Sequence, residues 1–144
     1  ENISQDWLSL RSETYGILQR EDTLKEIVKL LGPEALPDEE KLILEVARMI
    51  KIGILQQNSF DDVDTYCSPE KQFKLMKLQV DFYNKGQQAL KDGASLADIR
   101  SMDVISLLLK ARMDVKDDEM PKLDKIETDM AEQFKNITGV KVQN

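Results

Sequence analysis

The chain has 144 residues, of which 33% are charged and 41% hydrophobic, and its formal net charge at pH 7 is −7. A chain of this length is expected to form one domain over residues 1–144, burying roughly two thirds of its unfolded surface. Its excess of acids argues against a nucleic-acid-binding surface, and the lack of a long apolar run argues against direct membrane insertion.

Two helices are predicted in the first part of the chain. Ser4 is a candidate N-cap for a weak helix over residues 4–18, which Gly16 interrupts. The second helix ends at Gly32, which is followed by a proline. Its apolar stripe has helical spacing and consists of Leu24, Ile27, Val28 and Leu31.

A third helix is predicted at about residues 38–57, and it is apolar on nearly every side. Its first turn carries three acids, which suit the positive end of the helix dipole. Only a narrow polar stripe interrupts the apolar surface, made of Lys41, Glu45, Arg48 and Lys51. This pattern is typical of the central helix of a bundle.

The second half of the chain carries three further helix signals. Ser68 caps a helix that has Pro69 at its first position and that ends at the "KDGAS" sequence. Ser95 and Asp98 have the spacing of a capping box at the start of a helix over residues 95–113. The last helix has one apolar stripe, formed by Leu123, Ile126, Met130, Phe134 and Ile137. We therefore predict an all-α bundle of five to six helices.

The sequence contains few of the residues and motifs that catalytic and metal sites use. It has no histidine, and its one cysteine, Cys67, cannot form an internal disulfide and is interpreted as a packed thiol of a reducing compartment. It contains no phosphate-binding loop, nucleophile elbow or paired-cysteine metal motif. The acids of the "DDVD" sequence, residues 61–64, lack the glycine and the twelfth-position acid of a calcium loop. We predict neither catalytic residues nor a metal site.

Residues 32–77 closely resemble the C-terminal part of the catalytic A subunit of archaeal (A-type) and vacuolar-type rotary ATPases. The sequences "LPDEEKL", "LEVARMI", "LQQN" with a phenylalanine two positions after it, and "VDTYC" occur in the order and spacing of that family. Residues 1–20 and 95–144 match only in helical character. The chain departs from the family pattern at three positions. Ile52 and Gly53 stand where charged or bulkier residues are usual, and Ser59 stands where alanine is usual.

The resemblance implies a subunit of a proton-translocating ATP synthase or ATPase, peripheral on the cytoplasmic face of the cell membrane. The catalytic subunits would alternate with noncatalytic B subunits in a hexameric ring around the central stalk rotor. The nucleotide-binding domain, with ATP or ADP and Mg, would lie upstream of Glu1, and the absence of an initial methionine favours an excised piece. The fragment alone is expected to hold no cofactor and to be inactive.

The resemblance also implies that the turn before the third helix presses on the rotor. By similarity to the acidic helix-turn-helix lever of the F-type catalytic subunit, the contact residues are Pro33, Glu34, Ala35, Leu36, Pro37, Asp38, Glu39 and Glu40. The prolines stiffen this turn because they fix φ, and the acids charge it. From the residues alone, a plain helix connection with dipole-favoured acids remains the alternative.

A second implied site is the turn after the long apolar helix. In the family this turn closes the adenine pocket, so Gln57, Ser59 and Phe60 would line the base, with the phenyl ring stacked on it. The alternative for Phe60 is a hydrophobic plug over the end of the bundle.

Two other functions stay open on the sequence. One is an autonomous helical module that binds partner helices in a groove. The other is a small acidic metal-binding regulator.

Overall fold

Helices account for all the regular structure in residues 2–55 and 68–143, the parts of the chain that the computed structural model describes. These residues form six α-helices: α1 (Asn2–Leu31), α2 (Asp38–Ile50), α3 (Pro69–Lys91), α4 (Leu96–Arg100), α5 (Val104–Asp114) and α6 (Pro121–Gln143). Two short 3₁₀ helices, Pro33–Ala35 and Asp117–Glu119, precede α2 and α6. The predicted all-α fold is confirmed.

The first two predicted helices are one continuous helix, α1, so the predicted interruption at Gly16 is wrong. Its buried face follows a spacing of three and four residues through Leu10, Thr14, Ile17, Glu21 and Leu24. Two of these five positions are polar, which concealed the stripe in the sequence. The Thr14 hydroxyl donates to the Leu10 carbonyl at 2.9 Å, so its burial leaves no lost hydrogen bond.

The central position predicted for the third helix is confirmed by the burial of α2. It packs against α1, α3 and α5, and its buried residues are Leu42, Ile43, Val46, Ala47, Met49 and Ile50. The α-helix ends earlier than predicted, because Lys51–Leu55 continues as a π-helix. Residues 56 and 57 lie outside the described residues.

Gly53 lies in this π-helix, where it allows a close approach to α5. A Cβ atom at this position would lie 3.0 Å from the Leu108 carbonyl oxygen and 3.1 Å from Nε2 of Gln79. The glycine that departs from the family pattern therefore has a packing role.

Side chains satisfy backbone groups at several helix ends in the second half of the chain. The Ser68 hydroxyl accepts from the Lys71 N–H at 3.2 Å, and Ser95 and Asp98 form the predicted reciprocal capping box. The buried Lys71 ammonium donates to the Arg112 and Val115 carbonyls. A lysine of α3 thus satisfies the last carbonyls of α5, which have no partner within their own helix.

The single helix predicted over residues 95–113 is wrong, because α4 and α5 are separated at residues 101–103. The Ser101 hydroxyl donates to the Asp98 carbonyl at 2.9 Å at the end of α4. The first N–H of α5, at Val104, donates to Oε1 of Gln133 in α6 at 3.0 Å. This contact with α6 stabilises the first turn of α5, whose beginning the residues around Val104 do not indicate.

The apolar stripe predicted for the last helix is confirmed. Leu123, Ile126, Met130 and Phe134 are buried, and Ile137 packs against the core. The Phe134 ring lies 5.3 Å from the Phe82 ring of α3, measured between centroids. Thus α6 covers the side of α3 and α5.

We expect Gly53→Ala to destabilise the protein by about 1–3 kcal/mol, because the added methyl group would press on the α5 backbone. Chemical unfolding at 25 °C measures this change. Gly16→Ala is the matched control, since a Cβ there has no neighbour within 4 Å. In mid-helix it should stabilise by roughly 0.5–1 kcal/mol. Equal effects of the two changes would contradict the assigned packing role.

Candidate functional site

The turn between α1 and α2, residues 32–37, is held by its own backbone. Gly32 has a φ of 89°, which ends α1 in a conformation that favours glycine. Its N–H still donates to the Val28 carbonyl at 2.8 Å, and the Leu36 N–H donates to the Pro33 carbonyl at 3.2 Å. Leu36 is only 5% exposed, so this side chain anchors the turn to the core.

The outer surface of the turn is exposed and acidic. The exposed residues are Pro33, Glu34, Ala35, Pro37, Asp38 and Glu39. Glu40 is half-buried, and its carboxylate lies 3.7 Å from the Arg20 guanidinium. Of the eight residues predicted to contact a rotor, six therefore lie on the surface, Glu40 lies at its edge and Leu36 lies beneath it.

Two apolar residues at the same turn were missed by the sequence analysis. The Leu31 side chain, predicted to belong to the buried stripe of its helix, is 71% exposed, and Leu30 is 82% exposed. Lys29 is exposed as well, so the last turn of α1 extends beyond the core. No sequence signal indicated this exposure, because Leu31 has the spacing of the buried stripe.

An ion pair between a buried carboxylate and a partly exposed lysine joins α1 to the π-helix. The Glu21 carboxylate is 2.6 Å from the Lys51 ammonium and 3.5 Å from that of Lys25, and Glu21 itself is 4% exposed. The hydrogen bond with Glu21 raises the pKa of Lys51 above its usual range, although burial acts in the opposite direction. Glu40 and Lys51, near the two ends of α2, thus pair with neighbouring residues of α1, so α2 crosses α1.

The predicted adenine-pocket residues cannot be placed. Gln57, Ser59 and Phe60 lie outside the described residues, as do Cys67 and the acids of residues 61–64. The π-helix Lys51–Leu55 directly precedes them. Single π-helical turns are rare and are frequent at functional sites.

Within residues 2–55 and 68–143, no cluster of acidic or cysteine side chains could hold a metal ion. No helix of this part of the chain is long and apolar enough to cross a membrane. The described surface carries an exposed acidic turn with two exposed leucines beside it.

The family model for the C-terminal domain of V and A type ATP synthase matches residues 1–100. The chain belongs to this family. The resemblance noted in residues 32–77 is confirmed, and the similarity extends further along the chain than those residues.

Relatives within the V and A type ATP synthase family cover nearly the whole chain. The A subunit of the A-type ATP synthase of Hyperthermus butylicus is 43% identical over 98% of the chain. The corresponding protein of Ignicoccus hospitalis is 42% identical over 96%, and the V-type ATP synthase alpha chain of Halothermothrix orenii is 36% identical over 95%. The chain spans about a quarter of the length of these relatives, 24%, 24% and 23% respectively.

We expect Lys51→Met to destabilise the fold by about 1–3 kcal/mol at pH 7, because it removes the closest partner of the buried Glu21 carboxylate. Chemical unfolding of the isolated chain measures the loss. Lys77→Met is the control, since Lys77 pairs with Asp81 at 3.3 Å on the surface. That change should cost less than about 1 kcal/mol.

The pH dependence tests the same ion pair. Because the folded-state pKa of Lys51 is raised, its contribution is complete below the unfolded-state pKa of about 10.4 and falls as the pH rises through the folded-state value. The stability difference between wild type and Lys51→Met should therefore narrow above about pH 10.4. A difference that stays constant to about pH 11.5, roughly one unit higher, would contradict the assignment.

Proposed function

We propose that the chain is the C-terminal domain of the catalytic A subunit of a proton-translocating A-type ATP synthase or V-type ATPase. In this proposal the nucleotide-binding domain, with ATP or ADP and Mg, lies upstream of Glu1. Catalytic and noncatalytic B subunits alternate in a hexameric ring on the cytoplasmic face of the membrane. Membership of the V and A type ATP synthase family and the match to A subunits of A-type ATP synthases support it.

Within this machine, the turn between α1 and α2 contacts the central stalk rotor. The observation that carries this proposal is the exposed acidic surface of Pro33–Glu40 on a turn that Leu36 anchors in the core. An anchored turn transmits a push because its own deformation is small. An unanchored loop would absorb the same displacement by changing its backbone angles.

The helix α1 is suited to carry this displacement across the domain. Its 30 residues correspond to a length of about 45 Å. It packs against α2 and α3, and the Glu21–Lys51 pair ties its middle to the π-helix. A swing of the domain would therefore move the turn together with the helices behind it.

We also propose that Gln57, Ser59 and Phe60 close the adenine end of the nucleotide site in the full-length protein. Their position in the chain supports this, because they follow α2 and its π-helix, the central element of the bundle. A nucleotide held there would act on the same helix that leads back to the acidic turn.

The rotor contact is tested by crosslinking in the whole complex. A cysteine at Asp38, in a Cys67→Ser background, should crosslink to a component of the central stalk in at least one rotary state, because Asp38 is exposed at the turn. The control is a cysteine at Asp92, an exposed position after α3, which should give no such product. A product from Asp92 only, or from neither position, would refute the assigned contact.

The adenine contact is tested by Phe60→Ala in the full-length protein. Loss of stacking should weaken nucleotide affinity by about tenfold, equivalent to roughly 1.4 kcal/mol, with little change in melting temperature. Phe73→Ala is the control. The Phe73 ring lies 5.9 Å from the Trp7 ring, measured between centroids, so its loss should lower the melting temperature and leave nucleotide affinity unchanged. If Phe60→Ala leaves the nucleotide affinity unchanged and lowers the melting temperature strongly, Phe60 is a hydrophobic plug over the end of the bundle.

A further inference from the structure

Leu30 and Leu31 are the two most exposed large apolar side chains in the part of the chain that the structure describes. Their exposed fractions are 82% and 71%, whereas the next value is 63%, for Leu8. Single exposed leucines are common on protein surfaces, but an adjacent exposed pair at a stiffened turn is a compact apolar contact surface.

Leu30 and Leu31 do not pack against the end of the helix on which they lie. In a helix C-terminal motif, a hydrophobic residue near the end packs on the residue that follows the glycine turn. Here the side chain that folds back to the core is Leu36, and both leucines stay in solvent. Their apolar surface is therefore not used within the described fold.

The charge around the leucine pair is of one sign. Residues 30–40 contain four acids and no base. Glu40 pairs with Arg20, while Glu34, Asp38 and Glu39 make no ion pair within the described residues. The nearby Lys29 is already paired with Glu26 at 3.6 Å. A partner with lysine or arginine beside an apolar stripe would match this surface in both charge and polarity.

We propose that Leu30 and Leu31 form the apolar contact of the turn, and that its partner is a basic helical surface of the central stalk with an apolar stripe. This inference rests on the proposed function. The acids Glu34, Asp38 and Glu39 draw the basic surface in, and the leucines hold it by excluding water.

The two kinds of contact have different physical roles. Attraction between exposed charges is screened over about 10 Å at 0.1 M salt, so its contribution falls with ionic strength. Burial of leucine is non-directional and does not need a fixed geometry, so the contact tolerates small rotations of the partner surface. Leucine burial therefore suits a contact whose geometry changes slightly as the partner turns.

The test measures the affinity of the purified central stalk for the assembled catalytic head that carries the variants, over a series of salt concentrations. Changing both leucines to serine should weaken binding by about tenfold or more, equivalent to roughly 1.4 kcal/mol, by a factor that is nearly independent of salt. A variant with Glu34→Gln, Asp38→Asn and Glu39→Gln should lose affinity mainly at low salt. Changing both leucines to methionine should retain binding, because methionine keeps the apolar surface.

The control variant Leu8→Ser removes an exposed leucine near the other end of α1 and should leave the affinity for the stalk unchanged. Melting temperatures of the isolated chain should change little for the leucine variants, because the side chains are exposed. If the serine variant binds the stalk like wild type while the Asp38 cysteine still crosslinks to it, the leucine contact is overturned and the proposed function stands.

A photocrosslinker at position 30 in the assembled complex identifies the partner. Products with a component of the central stalk support the inference. Products only with the noncatalytic B subunit or with a second copy of this chain overturn it, and the absence of any stalk product from both position 30 and position 38 overturns the proposed rotor contact as well.

Discussion

The burial of one wide face of α2 against three other helices is the constraint on which the rest of the structure depends. Leu42, Val46, Ala47, Met49 and Ile50 have no exposed surface, so other helices must cover α2 in several directions. The helices α1, α3 and α5 provide this cover, and α6 packs on α3 and α5 from outside. The exposed turn follows from this arrangement, because the chain must turn after α1 for α2 to reach the central position.

Polar side chains fix how the covering helices meet the centre. Lys71 of α3 satisfies the last carbonyls of α5, and Gln133 of α6 satisfies its first N–H. Glu21 of α1 pairs with Lys51 at the end of α2. Apolar burial drives association but is non-directional, whereas each of these contacts forms only within a limited range of distances and angles. They therefore specify where α1 and α5 lie along their neighbours.

The sequence predicted the helical fold, the central helix and the local caps because each depends on residues close together in the chain. The Ser68 cap and the Ser95–Asp98 box are such local signals. The division of α4 from α5 depends on Gln133, which is 29 residues away from the bond it makes with Val104. The continuity of α1 could not be predicted because two polar residues, Thr14 and Glu21, occupy core positions. Their burial depends on a hydrogen bond and an ion pair, which the spacing of hydrophobic residues does not indicate.

The candidate site shows the same limit. The exposure of the acidic turn was predictable from its prolines and acids, but the exposure of Leu31 was not, because spacing alone assigned it to the buried stripe. Whether the last turn of a helix lies on the core depends on where the core ends, which is a property of the packed helices. The structure places that limit near Val28, since Lys29, Leu30 and Leu31 are exposed.

The turn and the π-helix, which lie before and after α2, are held in place in different ways. The turn is fixed by two prolines, a 3₁₀ helix and the buried Leu36. The π-helix Lys51–Leu55 departs from regular α-helical geometry and lacks a side chain at Gly53, where α5 approaches most closely. The position of the acidic turn thus depends on its own backbone and on Leu36, whereas the position of the π-helix depends on the approach of α5 at Gly53.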